Sequence, residues 1–347
     1  DGESLRVEPG DSGAETVIEL EPADFAGLVA ELEAPAGLLY AGRVRCTRGR
    51  AIRLMEWEAA LRAAYNGIPA YDPARLDLRD AHGAPLDPER TFSLDDDRRE
   101  MAHFLRTAGY LFVRGVLAPH EVARLNAELQ PLVAEARPGD GFSWWGRDAA
   151  GREVLCRVTR AASRPAFGAL ARDPRFADLV ALAGEDLVHK KGEGDGVAVI
   201  FKRPGMAEGL GDLPWHRDCG MGGHAVICPT LIASLYLTEA TPETGELAML
   251  PGSRHATFNA HTTPPTALRP AHFRAASGDV SLHFSDTVHA APPPSRSDLE
   301  AYRVSAILGF GLPEARHHRG ESSYNAALHR RADGQIEHLD VVARRVR

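Results

Sequence analysis

Leu213-Pro-Trp-His-Arg-Asp-Cys219, answered by Phe284-Ser-Asp-Thr-Val-His289 and then by Arg303, is the stretch on which the reading of this chain turns. His216 and Asp218 stand two residues apart. On a strand, alternate side chains share a face, so this spacing sends both to one side and Arg217 to the other. A second imidazole, His289, follows 71 residues on (289 − 218). Two imidazoles and one carboxylate on one face of an octahedral ion leave the opposite face open. Non-haem Fe(II) oxygenases hold a co-substrate and oxygen in this way.

The wider composition is that of an ordinary globular protein. Of 347 residues, 44% are hydrophobic and 25% charged. No apolar run reaches the roughly 18 residues of a membrane span, so no integral membrane segment is expected. A net charge of −8 and a pI near 6.0 argue against nucleic acid as a partner. The basic patches at 316–319 and 344–347 lack interleaved aromatics and read as solvated surface. Cys46, Cys156, Cys219 and Cys228 have neither zinc-site spacing nor disulfide-scaffold density, so free thiols in a cytoplasmic protein are expected. The first residue is Asp1, which leaves room for an upstream segment or a removed signal peptide. Oligomeric state is left open.

Three segments are expected: a small α+β domain over 1–67, a proline-rich linker over 68–92, and a main domain over 93–347. In the first, short strands are expected at 5–7, 16–20 and 42–46. Helices are expected at 21–33, where Phe25, Leu28, Val29 and Leu32 fall on one face, and at 51–65. In the main domain Ser93 and Asp96 read as a capping-box start to a helix that ends at Gly109. A strand at 110–113 and a helix from Pro119 follow. From about residue 197 the pattern becomes short β runs at 197–201, 231–237, 280–284 and 303–310, punctuated by Gly and Pro. The expected fold is an all-β core, a double-stranded β-helix or jelly roll, with flanking helices and the small α+β N-terminal domain.

An isolated His-x-Asp is weak evidence, and a second one occurs at His338-Leu-Asp340 with no histidine after it. The first differs in being followed by β-rich sequence and a later histidine at a strand's exit. Arg303 and Ser305 share a strand face and suit the far carboxylate of a dicarboxylate co-substrate. Arg296 competes for that role from a loop. Trp144 and Trp145 are candidate substrate-pocket residues, although buried aromatics more often belong to a core. His224 could be a donor or substrate contact near the metal, while His255 and His283 read as structural.

The chain from 93 to 311 resembles the phytanoyl-CoA dioxygenase family of Fe(II)/2-oxoglutarate oxygenases. The resemblance rests on Phe104-Leu-Arg-Thr-Ala-Gly-Tyr-Leu-Phe-Val-Arg-Gly-Val-Leu117, Phe201-Lys-Arg-Pro-Gly205, Trp215-His-Arg-Asp218, Thr244-Gly-Glu-Leu247, Leu250-Pro-Gly-Ser-Arg-His255 and Gly278-Asp279 before His289. It implies Fe(II) on His216, Asp218 and His289, with 2-oxoglutarate held by Arg303, Ser305 and Lys202, and O2 as oxidant. Arg217 departs from the Gln usual between the ligands and is a further candidate substrate contact. The interval from His289 to Arg303 is stretched by Pro292-Pro293-Pro294. Iron halogenases place Gly or Ala where Asp218 stands, so hydroxylation, desaturation or cyclisation is expected. The N-terminal unit resembles part of a sterol-carrier-protein-type-2 domain through Glu15-Thr-Val-Ile-Glu-Leu20, Asp24-Phe-Ala-Gly-Leu-Val29 and Leu39-Tyr-Ala-Gly-Arg-Val-Arg45.

Together these imply an oxygenase acting on a lipophilic small molecule, with a role in secondary metabolism. Two rivals stand beside it: a lipid-binding protein with an inactive oxygenase-like domain, and a zinc hydrolase using the same three ligands.

Overall fold

Two proline-started helices and a two-stranded ribbon open the chain. In this computed structural model residues 8–30, 33–191, 194–208, 213–218, 230–258, 267–313, 335 and 337–346 are described. Strand β1 (Val17–Glu19) pairs antiparallel with β2 (Arg45–Arg48). The helix expected over 21–33 is α1 (Pro22–Val29), and a second, α2 (Pro35–Tyr40), follows beyond that range. Proline disfavours helical geometry in the residue before it and suits the first helical turn, so Pro35 starts a helix without continuing one. The strand expected at 42–46 begins only at Arg45, because Gly42 turns the chain at φ 66°. Helix α3 (Leu54–Asn66) follows. The strand expected at 5–7 lies outside the described residues.

The apolar centre of this unit gathers Leu28, Leu38, Leu39, Val44, Ile52, Leu54 and Leu61, and it is completed from the far end of the chain. Ala343, Leu339 and Val346, on or beside the C-terminal helix Leu339–Arg345, pack into the same cluster. The Tyr40 hydroxyl donates to the Glu337 carbonyl at 2.6 Å. His338 and Asp340, the second His-x-Asp pair, start that helix.

The proline-rich segment lies along the main domain. Thr257 N–H donates to the Pro69 carbonyl at 2.7 Å, and the Tyr110 hydroxyl donates to the Pro88 carbonyl at 2.8 Å. Ser93 and Asp96 do bond, N to Oδ2 at 2.5 Å, but helix α4 (Arg98–Ala108) is capped by Asp97, whose side chain accepts from Arg99 N–H. Gly109 ends it in the left-handed region at φ 92°. A Cβ there would lie 2.6 Å from Thr287 Oγ1, so only glycine fits between the helix end and the turn before His289. Strand β3 (Tyr110–Val113) and helix α5 (Pro119–Glu135) come next.

Among the described residues thirteen strands, β3 to β15, then build two sheets. They include β4 (Ser143–Asp148) and β5 (Glu153–Val158), followed by helices α6 (Pro165–Leu170) and α7 (Pro174–Val180). Next come β6 (Val188–Lys190), β7 (Val197–Phe201), β8 (Met206–Glu208), β9 (Leu213–His216) and β10 (Thr230–Tyr236). The last are β11 (Leu247–Met249), β12 (Ala271–Phe273), β13 (Val280–Phe284), β14 (His289–Ala291) and β15 (Val304–Gly311). The large sheet runs β3-β13-β10-β15-β7-β5-β4-β8, with β6 also on β15, and the small sheet runs β12-β11-β14-β9. Among the described residues every strand pair is antiparallel, as expected of a jelly roll with flanking helices.

The large sheet sorts its residues by face. Leu231, Ala233, Leu235, Leu282, Phe284, Ala306, Leu308, Val197 and Val199 join Leu105, Leu125, Leu129, Phe167 and Phe176 of the helices in the main core. The other face, in register, presents Ser281 and His283, Ile232, Ser234 and Tyr236, Ser305 and Ile307, then Ala198 and Ile200. Between the sheets, Phe112 stacks on Phe273 at 4.3 Å and Tyr236 meets Phe273 edge-on, which fills one end.

Glu121 ties α5 to α7. It accepts from Ala118 N–H at 2.8 Å and from both terminal nitrogens of Arg175 at 2.7 and 2.9 Å. Arg175 holds its carboxyl down, to about 2 against an ordinary 4.5. A depressed carboxyl contributes stability that is present above its unfolded value and lost as pH falls through its folded value. Glu121→Gln should therefore cost about 1–2 kcal/mol at pH 7. Urea denaturation should show that gap closing between pH 4.5 and 2; a gap independent of pH would refute the assignment.

Candidate metal centre

The two histidines meet because their strands pair. His216 ends β9, His289 starts β14, and the two are direct partners in the antiparallel register, with ring centroids 4.3 Å apart. Directly opposed residues in such a pair bring their Cβ atoms within about 5.5 Å, so 73 residues of separation (289 − 216) become one contact. Asp218 follows two residues after His216 and completes the cluster. One donor atom from each of the three lies within 4.8 Å of the others. Asp218 Oδ1 stands 3.6 Å from His216 Nε2 and 3.6 Å from His289 Nε2.

The donor chemistry suits a divalent ion. His289 Nδ1 lies 3.0 Å from the Thr287 carbonyl, so it carries the proton and donates, leaving the Nε2 lone pair free. Burial, and then His216 beside it, push the His289 imidazole well below its usual value, so it is neutral. Burial alone would raise the Asp218 carboxyl, but His289, His216 and His283 outweigh it and hold the group well below the carboxylate range. An ionised carboxylate and neutral imidazoles are the forms that bind metal. The Asp218 side chain keeps 34% of its surface exposed.

A third imidazole, which the sequence reading left as structural, belongs to the same cluster. His283 Nε2 lies 2.9 Å from Asp218 Oδ2, and its ring stands 4.5 Å from that of His289. The alternation Ser281/His283 against Val280/Leu282/Phe284 was the available signal.

The residues expected at the co-substrate share the polar face of the large sheet. Ser305 is the register partner of both Tyr236 and Ile200, and Arg303 sits two residues before it. Arg303 and Ser305 are 4% and 5% exposed. Burial lowers the Arg303 guanidinium, while the Tyr236 phenol opposes that shift. Lys202, fully buried, pairs through its N–H with the Arg303 carbonyl and sends Nζ to the Ala291 carbonyl at 2.7 Å. Its side chain thus spans the two sheets and ends two residues from His289. Arg296 remains outside, paired with Asp298.

The substrate candidates separate. Trp144 is the register partner of Arg157, whose guanidinium lies 4.7 Å over its ring, and Arg157 pairs with Ile200 on the polar face. Trp145, the next residue along the strand, alternates to the other side and packs on the main core. Arg217 points away from the ligands: Nε donates to the Asp286 carbonyl at 2.8 Å and Nη2 to those of Ser253, at 3.1 Å, and Ala256. It ties the His-x-Asp segment to the turns flanking β14. His224, Cys219 and Cys228 lie outside the described residues; Cys46 and Cys156 are not joined in a disulfide.

Residues 105–298, more than half of the sequence and including His216, Asp218 and His289, match the phytanoyl-CoA dioxygenase (PhyH) family. The chain belongs to that family. It is accordingly a non-haem iron, 2-oxoglutarate-dependent enzyme. No curated protein matches it. Among solved structures it is similar to the α-ketoglutarate-dependent carbocyclase SnoK from nogalamycin biosynthesis (19% identity, 72% of this chain and 96% of that one, TM-score 0.53). It is also similar to AviO1 from Streptomyces viridochromogenes Tue57 (24% identity, 63% and 97%, TM-score 0.50). These likenesses show the shared fold. The family match starts at residue 105 and so does not reach the N-terminal unit. Among the described residues no helix is long and apolar enough to cross a membrane.

Replacing Arg217 with Met should leave buried carbonyls without their donor and cost about 3 kcal/mol. Urea denaturation of the metal-free protein measures this. An unchanged midpoint would show that the guanidinium does not hold these segments together.

Proposed function

We propose that this enzyme oxidises an unactivated C–H bond of a lipophilic small molecule, by hydroxylation, desaturation or cyclisation, within secondary metabolism. The observation that carries the reading is the convergence of His216, Asp218 and His289, together with a buried arginine next to the large sheet's β15.

Charge makes the pairing specific. Two neutral imidazoles and one carboxylate leave a divalent iron with one net positive charge. The guanidinium of Arg303 adds a second. A dicarboxylate with a keto-acid end matches both, chelating at one end and meeting the planar guanidinium fork at the other. Ser305 offers a hydroxyl donor beside Arg303, and Lys202 a further cation on the same side. When bound, iron and 2-oxoglutarate supply the oxidative decarboxylation that yields succinate and carbon dioxide and drives hydrogen abstraction. The chain's own part is to leave half the coordination sphere open, anchor the co-substrate and exclude water.

The substrate class is argued from the wall. Ile200, Ile232 and Ile307 are only half-buried although they face the inside of the sandwich, and Trp144 shares that face. Apolar side chains exposed to an interior suit an apolar guest. The N-terminal unit, with Trp57 and Tyr65 exposed at 52% and 54% on α3, is proposed to hold or deliver such a molecule. A zinc hydrolase would give Arg303 no work. An inactive lipid binder would have no need of an intact ligand set.

Succinate release should require both Fe(II) and 2-oxoglutarate and rise with an accepted substrate among lipids, terpenoids and polyketides. Asp218→Ala should abolish it. Arg303→Ala should raise the KM for 2-oxoglutarate by roughly 100-fold, the loss typical when one partner of a buried charge pair is truncated. Activity supported by zinc, or near-normal turnover in Asp218→Ala, would overturn the reading.

A further inference from the structure

We propose that His283 is a positioning residue that keeps Asp218 a one-oxygen ligand and so reserves a third open coordination position. The proposal rests on the iron-enzyme reading above. The two oxygens of Asp218 are already divided. Oδ1 is equidistant from the two ligand imidazoles at 3.6 Å, whereas Oδ2 is 2.9 Å from His283 Nε2. His283 arrives from the large sheet, on β13, while both imidazole ligands belong to the small one, so the contact fixes the carboxylate across the sandwich.

The imidazole is well placed to hold this position. Its side chain is 4% exposed, and β13 anchors it between register partners Ile232 and Tyr110. Nδ1 is buried with no hydrogen-bond partner among the described residues. A carboxylate oxygen can only accept, so the Nε2 facing it carries a proton and donates it to Oδ2.

The consequence follows from counting positions on a six-coordinate ion. With Asp218 bound through Oδ1 alone, three protein atoms leave three positions: two for the keto-acid chelate and one for oxygen. If Oδ2 swung onto the ion, four would be taken and the chelate would fill the remainder. Holding Oδ2 on His283 prevents that. Neighbours that orient metal ligands commonly change metal affinity by roughly 10–100-fold when removed.

Two variants test this. His283→Phe keeps a ring of similar volume against His289 but has no donor; His283→Gln places an amide N–H at similar reach. Anaerobic Fe(II) titration of the metal-free proteins should give a Kd raised ~10–100-fold in His283→Phe and largely restored in His283→Gln. Nitric oxide, as an oxygen surrogate, should bind fully to the Fe(II)–2-oxoglutarate complex of the wild type and His283→Gln by electron paramagnetic resonance. It should bind only in part to that of His283→Phe. Wild-type Fe(II) affinity and full nitric oxide binding in His283→Phe would overturn the proposal. So would His283→Gln behaving like His283→Phe while its thermal unfolding matches the wild type. Failure of the wild type itself to bind Fe(II) would instead overturn the iron-enzyme reading.

Discussion

The pairing of β9 with β14 is the contact on which the centre depends, because it sets His216 opposite His289. Neither strand is long: four residues and three. Their register is fixed from outside. Thr287 Oγ1 donates to the Gly109 carbonyl at 2.7 Å, tying the approach to His289 to the end of α4. Val288 N–H donates to Ser253 Oγ at 2.9 Å, and Arg217 grips the carbonyls of Asp286, Ser253 and Ala256. A one-residue slip in a strand reverses the face of every side chain on it, so these bonds hold the chemistry as well as the fold.

The large sheet contributes through the segregation of its faces. Its helix-facing side is aliphatic and aromatic and joins the main core. Its inner side carries His283, Ser281, Ser234, Tyr236, Ser305 and Arg303 among isoleucines that are not fully buried. A buried guanidinium such as Arg303 is costly to desolvate unless something compensates it. An anionic co-substrate would provide that compensation, which links the stability of the sheet to its role.

Much of this was legible in the residues. The His-x-Asp spacing, the strand alternation after residue 197 and the ordered family motifs pointed to a jelly roll with a metal site, and strands β7, β10, β13 and β15 fall at or within one residue of the expected places. Arg303 and Ser305 were legible as one face by parity alone. What parity could not show was which strands lie side by side. Tyr236 beside Ser305 and His283 beside Asp218 are products of long-range register, not of any local pattern. Arg217, a substrate candidate in the sequence, is a further case: alternation turns it from His216 and Asp218, but only the fold reveals the carbonyls that hold it. The C-terminal helix completing the N-terminal cluster joins residues some 300 positions apart, as the 297-residue separation of Tyr40 and Glu337 shows. No helical periodicity announces such a partner.

The most direct test is a crystal structure of the protein loaded anaerobically with iron and 2-oxoglutarate. The account predicts a single iron bound by Nε2 of His216, Nε2 of His289 and one oxygen of Asp218, with the far carboxylate of 2-oxoglutarate on the Arg303 guanidinium. Iron bound elsewhere, or these three side chains failing to converge on it, would contradict the account.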